Sequence, residues 1–306
     1  MPVTVNRPGP WTHRDLSAGG TRFHVALAGP EAPVVDSSDA ANDPPAPLIL
    51  LLHGFPECWW TWREIIPGLA DAGHRVAAMD LRGFGGSDRP PSGYDLVTLA
   101  QDVMAVVRAL GHERVVVVGS GLGGQVAWVL AGLSPSTTAA IVPVGAPHPV
   151  AVRSLRGRSF SGSALQYLSF KLPVLPERSL STTAGVEGLL RSWAGPRTKS
   201  EVAESAGYYA ALMARPGAAR SALETVRRTR LSRSEAVALG APVGVPVLSV
   251  QGELDPVQPA QAYARDTHHV AGRLHQATIR GVGHFPQVEA PAELLTVLLP
   301  FLAEAA

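Results

Sequence analysis

Four glycine-rich turns carry the side chains best suited to chemistry in this sequence. They are His53-Gly54-Phe55-Pro56-Glu57, Gly119-Ser120-Gly121-Leu122-Gly123-Gly124, Gly252-Glu253-Leu254-Asp255-Pro256 and Gly281-Val282-Gly283-His284-Phe285-Pro286. The last two supply an acid and then a histidine. A buried carboxylate that accepts from one imidazole nitrogen fixes the tautomer and stabilises the charged ring, which leaves the other nitrogen as a base. Asp255 and His284 are therefore the candidate acid–base pair. Vestigial packing is the alternative role, but polar groups without a use are costly to bury and readily give way to apolar ones.

Each turn follows a short apolar run. Leu48–Leu52, Val76–Met79, Arg114–Val118, Ala139–Val144, Val247–Val250 and Ala277–Ile279 are too short for helices and read as strands buried on both faces. Thr21–Ala28 reads as an earlier strand. Leu96, Leu99, Val103, Val106 and Leu110 recur at helical spacing until Gly111, and Pro291 opens a last helix through Leu294, Leu298 and Leu302. Strand–helix alternation predicts an α/β fold, a mostly parallel central sheet flanked by helices, with functional groups gathered at the carboxyl ends of its strands. Residues 147–239 break the rhythm: they hold no buried-strand run but show helical patterns at Val202–Met213 and Ala218–Arg228. They are expected to form a helical cap inserted into a core made of residues 1–146 and 240–306. The polar stretch Pro30–Pro47 reads as a hairpin tip or a small disordered insertion.

Composition limits the partners. A net charge of +1 over 306 residues gives no reason to expect nucleic acid or an anionic membrane, and no stretch approaches the roughly 20 apolar residues of a membrane span. Cys58 is the only cysteine, so no intrachain disulfide is possible and a reducing, cytoplasmic compartment is the default. Residues 1–20 lack the basic-then-apolar pattern of a leader. The adjacent His268 and His269 lack the spacing of helix ligands, so a solvated helix end is expected there and no metal. No cofactor is expected, the partner is a small-molecule substrate or ligand, and the oligomeric state is not set.

The motifs resemble those of one family. His53–Pro56 is similar to the HGxP motif of epoxide hydrolases and haloalkane dehalogenases, and Asp80–Pro90 to the same family's motif after the next strand. Gly283-His284-Phe285, with Glu289-Ala290-Pro291 behind it, resembles the family's histidine turn. The resemblance implies the α/β-hydrolase fold, the order nucleophile, acid, base, and an oxyanion site made by the backbone N–H groups of Phe55 and Leu122. It also exposes a departure. Val118–Gly124 aligns without a gap with the family's nucleophile elbow, which puts Gly121 where epoxide hydrolases carry aspartate and esterases serine.

Other positions depart too. Ser120 lies one residue early on a sharp turn and is the remaining hydroxyl candidate. Arg215-Pro216-Gly217-Ala218 resembles the family's cap motif, but Val226 replaces one of two expected cap tyrosines, and Gln166 stands at the other place with Tyr167 beside it. Tyr209 is a further cap-lining candidate. Leu122 stands where dehalogenases have a halide-binding tryptophan. Four readings follow: a non-covalent His284/Asp255 catalyst of hydrolase, lyase or cyclase type; a non-catalytic small-molecule binder; a structural paralogue without a ligand; and a covalent hydrolase using Ser120. Gly119, Gly121 and Gly124 also fit a dinucleotide fingerprint. That site needs an acid about 20 residues later, and none occurs between Glu113 and Glu177.

Overall fold

The computed structural model describes residues 4–30, 46–155, 162–229 and 231–305. Its sheet has eight strands: β1 (Thr12–Ala18), β2 (Thr21–Ala28), β3 (Leu48–Leu52), β4 (Val76–Met79), β5 (Val115–Ser120), β6 (Thr138–Val144), β7 (Val247–Gly252) and β8 (Leu274–Ile279). The order across the sheet is β1-β2-β4-β3-β5-β6-β7-β8. The β1–β2 and β2–β4 pairs are antiparallel and the remaining pairs parallel. Strands β3 to β6 are buried along their whole length, which is why they read as continuous apolar runs. Helices Leu96–Ala109 and Leu122–Leu133 pack together against the sheet, as Ile66–Asp71 and Pro291–Ala305 do.

The strands differ from the expectation where they leave the core. β1 exposes Thr12, Arg14, Asp15 and Ser17 at the sheet edge and buries only Leu16 and Ala18, so it carries no apolar run to find. Exposed His275 and Gln276 likewise hide the first half of β8. At its end β5 runs on through Gly119 and Ser120, which stay in register with Pro143 and Val144. Between β6 and β7 the described residues form helices, the first Pro149–Leu155 and the last Arg233–Ala238. The pattern at Val202–Met213 resolves into two helices, Lys199–Ala203 and Ala206–Met213, with the second opened by Tyr209 N donating to Ser205 O. Ala218–Arg228 is one helix, as its periodicity required. His268 is exposed, but His269 stacks flat on His148 at 3.9 Å rather than facing solvent. Most of the Pro30–Pro47 stretch lies outside the described residues.

Helix Leu122–Leu133 starts so close to the sheet that no side chain fits between them. A Cβ on Gly119 would run into the backbone of Gly123 and Gly124, one on Gly123 into Leu52 O, and one on Gly124 into Ala146 Cβ. Packing therefore accounts for Gly119 and Gly124, two of the three glycines that mimic a dinucleotide fingerprint. Gly123→Ala is expected to cost about 1–3 kcal/mol by overpacking, read as a lower urea midpoint with an unchanged slope; an unmoved midpoint would show that helix and strand can part.

Candidate active site

The ends of β3, β5, β7 and β8 converge. Ser120 ends β5, Gly121 takes φ +49° and ψ −108°, and the helix begins at Leu122. A positive φ of this kind is open to glycine and strained for other residues. Gly121 N donates to Val144 O at 2.9 Å, and Gly121 O accepts from Gln125 N at 3.1 Å. A Cβ on Gly121 would lie 3.3 Å from His284 Nε2 and 3.8 Å from Gly54 Cα. Beyond β3, buried His53 donates from Nδ1 to Gly54 O at 2.7 Å and accepts Leu81 N at Nε2. Burial holds its pKa below the usual value, so this histidine braces the turn as a neutral ring. Among the described residues no other group takes up the N–H of Phe55 or Leu122.

Asp255 and His284 meet as expected: His284 Nδ1 stands 2.9 Å from Asp255 Oδ2. Asp255 Oδ1 accepts from the backbone N–H groups of Val257 (2.7 Å) and Gln258 (3.2 Å), so the carboxylate is fixed before the ring meets it. Burial is the strongest influence on His284 and favours the neutral ring. The charge and hydrogen bond of Asp255, helped by the charges of Glu57 and Glu289, outweigh it and raise the pKa. Nδ1 is thus the donor and Nε2 faces the space beside Gly121.

That space is about 30 Å³, room for one or two waters. Phe55, Gly121, Leu122, Gln125, Gln258 and His284 form its core wall, and Tyr167, Trp193, Val226 and Thr229 close it from the inserted helices. A larger hollow of about 930 Å³, lined by Lys171, Arg178 and Arg220 among others, does not touch these groups.

The remaining candidates divide. Tyr167 lines the space and stacks on Trp193. Gln166 accepts the Trp193 indole N–H at 2.6 Å. Tyr209 is not among the lining residues; it is buried against Glu57, Cys58 and Thr61. Ser120 is buried and its hydroxyl makes no hydrogen bond to His284 or to any other described residue. Cys58 is also buried, which pushes its thiol up.

Sequence reasoning gave no role to Trp193, whose ring meets the His284 imidazole edge-on at 5.5 Å, because nothing local marks it. Nor did it give one to Glu57. This buried carboxyl accepts from Gly54 N at 3.2 Å and from the Thr61 hydroxyl, with Gln287 Nε2 3.3 Å away. Burial dominates and pushes its pKa up to about 7. Only its position directly after the His53–Pro56 turn hinted at it.

A mostly parallel sheet with an acid after β7, a histidine after β8 and a tight strand-to-helix turn facing that histidine defines an α/β hydrolase. The chain belongs to the α/β-hydrolase fold family, which matches residues 47–291. It is similar to epoxide hydrolase A of Mycobacterium tuberculosis, 30% identical over 95% of this chain and 97% of that one. Epoxide hydrolase B of the same organism is 41% identical over 44% of this chain and 35% of its own length. The chain thus spans only about a third of that relative and about half of other matched epoxide hydrolases. Among solved structures, Cfl2 of Burkholderia cenocepacia superposes with a TM-score of 0.80 at 26% identity, covering 96% of both chains. No helix among the described residues is long and apolar enough to cross a membrane.

Two titration outcomes follow. His284 should titrate above 6.5 in imidazole NMR spectra and Asp255→Asn should bring it below 6.5, since burial is then unopposed; an unmoved titration would dissolve the pair. Glu57 binds its proton more tightly folded than unfolded. Stability should therefore fall as pH rises from about 4.5 towards 7, and urea midpoints of Glu57→Gln should show a shallower fall over that range.

Proposed function

We propose that this chain is a cofactor-independent, non-covalent acid–base catalyst in which Gly121 stands at the nucleophile position and a water takes the place of the missing side chain. One observation carries the reading: the absent Cβ of Gly121 points at His284 Nε2 from 3.3 Å, beside a space with room for one or two waters. His284 Nε2 removes a proton from that water, the hydroxide oxygen bonds to a substrate carbonyl carbon, and the N–H groups of Phe55 and Leu122 hold the resulting oxyanion. The imidazolium, stabilised by Asp255, then returns the proton to the leaving oxygen. The substrate is a small, largely apolar ester or lactone, or a related carbonyl compound on which the same base drives cleavage or cyclisation. Residues 147–239 act as the cap over a core of residues 1–146 and 240–306.

Ring opening of epoxides does not suit this site, although the relatives named above are epoxide hydrolases. Val226 presents methyl groups to the space where the family resemblance calls for a tyrosine. General base catalysis supplies roughly 10²–10⁴-fold, enough for an activated ester and too little for an inert epoxide.

Hydrolysis of an activated aryl ester or lactone is expected to rise with pH through the raised His284 pKa, because only the neutral ring takes up a proton. His284→Ala should lower it by about 10²–10⁴-fold. Ligand binding without any product, in wild type and variant alike, would instead establish a binding protein. Gly121→Ser is expected to trap fluorophosphonate-type probes covalently; a folded variant inert to them counts against an intact pair.

A further inference from the structure

Glu289 ends the short helix Pro286–Glu289, five residues after His284, and is buried. Its carboxylate accepts four hydrogen bonds. Two come from the histidine turn, Gly283 N to Oε2 and Phe285 N to Oε1, each 2.9 Å. The other two come from the connection between helices Thr183–Trp193 and Lys199–Ala203, Gly195 N at 2.7 Å and the Thr198 hydroxyl, both to Oε2. Among the described residues no cation pairs with it. Beside these bonds the backbone N–H of His284 donates to Trp193 O at 2.9 Å. The two backbones touch without side chains between them: a Cβ on Gly283 would run into Trp193 O, Ala194 C and Gly195 N, and one on Gly195 would lie 2.6 Å from Gly281 O and 2.9 Å from Glu289 Oε2.

We propose that Glu289 is a positioning residue that ties the stretch from Trp193 to Thr198 of the helical insertion to the turn carrying His284, so that the imidazole stands beside Gly121 only while that stretch is docked. The proposal rests on His284 being the working base. The chemistry requires a charged acceptor: four donors converge on two oxygens, and a carboxylate offers only lone pairs. An amide satisfies one side and turns N–H against the other.

The test uses amide hydrogen exchange and imidazole NMR on the full chain, neither of which needs turnover. Failure here therefore removes the tether, whereas a failed rate assay removes the base. In Glu289→Gln, exchange at Gly195, Gly283 or Phe285 should quicken by about tenfold or more while the strands keep their protection, and the His284 titration should move down. Gly195→Ala keeps the charge but wedges the contact, and should displace the His284 ring signals. Thr198→Val removes only the insertion's hydroxyl arm. It should quicken exchange at Gly195 and shift the His284 ring signals even if Glu289→Gln does not fold. Unchanged His284 signals in Thr198→Val and Gly195→Ala overturn the proposal. So does a uniform rise in exchange across the chain in Glu289→Gln, which marks a merely structural residue.

Discussion

The 2.9 Å contact between His284 Nδ1 and Asp255 Oδ2 is the interaction on which the strand ends depend. Both side chains are almost wholly out of water, where an unpaired charge is very costly. Burial alone would strip the ring of its proton. The adjacent carboxylate reverses that, and its other oxygen is held by the N–H groups of Val257 and Gln258. The pair therefore fixes which nitrogen donates, which way the ring faces, and that Nε2 looks onto Gly121.

Around the pair, missing side chains are as informative as present ones. Glycines at 119, 123 and 124 let a helix start against the sheet, and glycines at 195 and 283 let the inserted helices touch the histidine turn. Gly121 differs from these, because its Cβ would meet the imidazole rather than backbone. The first five serve packing, and the sixth leaves a space.

Three buried carboxyls near the imidazole show how environment assigns roles to one functional group. Asp255 faces the ring directly. Glu57, behind the His53 turn, has its proton held by burial up to about 7. Glu289 has four donors and binds two segments far apart in sequence. Hydrogen bonding by N–H and O–H groups favours the ionised form of a carboxyl and burial the neutral one, and at Glu57 burial wins.

Much of the site was legible before folding because its signals are local. Buried parallel strands must be short apolar runs, and β3 to β6 were. Chemistry at their ends must follow tight glycine turns, and the turns at 53–57, 119–124, 252–256 and 281–286 did. The order of acid and histidine required no coordinates. What stayed hidden is set by neighbours distant in the chain. The polar edge strand β1 is made by its pairing with β2, the edge of Trp193 reaches His284 across 91 residues of sequence, and Tyr167 lines the space where Tyr209 does not. Sequence alone determined which residues ride at the strand ends. Only tertiary structure decided which of them share one small space, because burial, ring orientation and the sharing of a carboxylate arise when separate segments pack against each other.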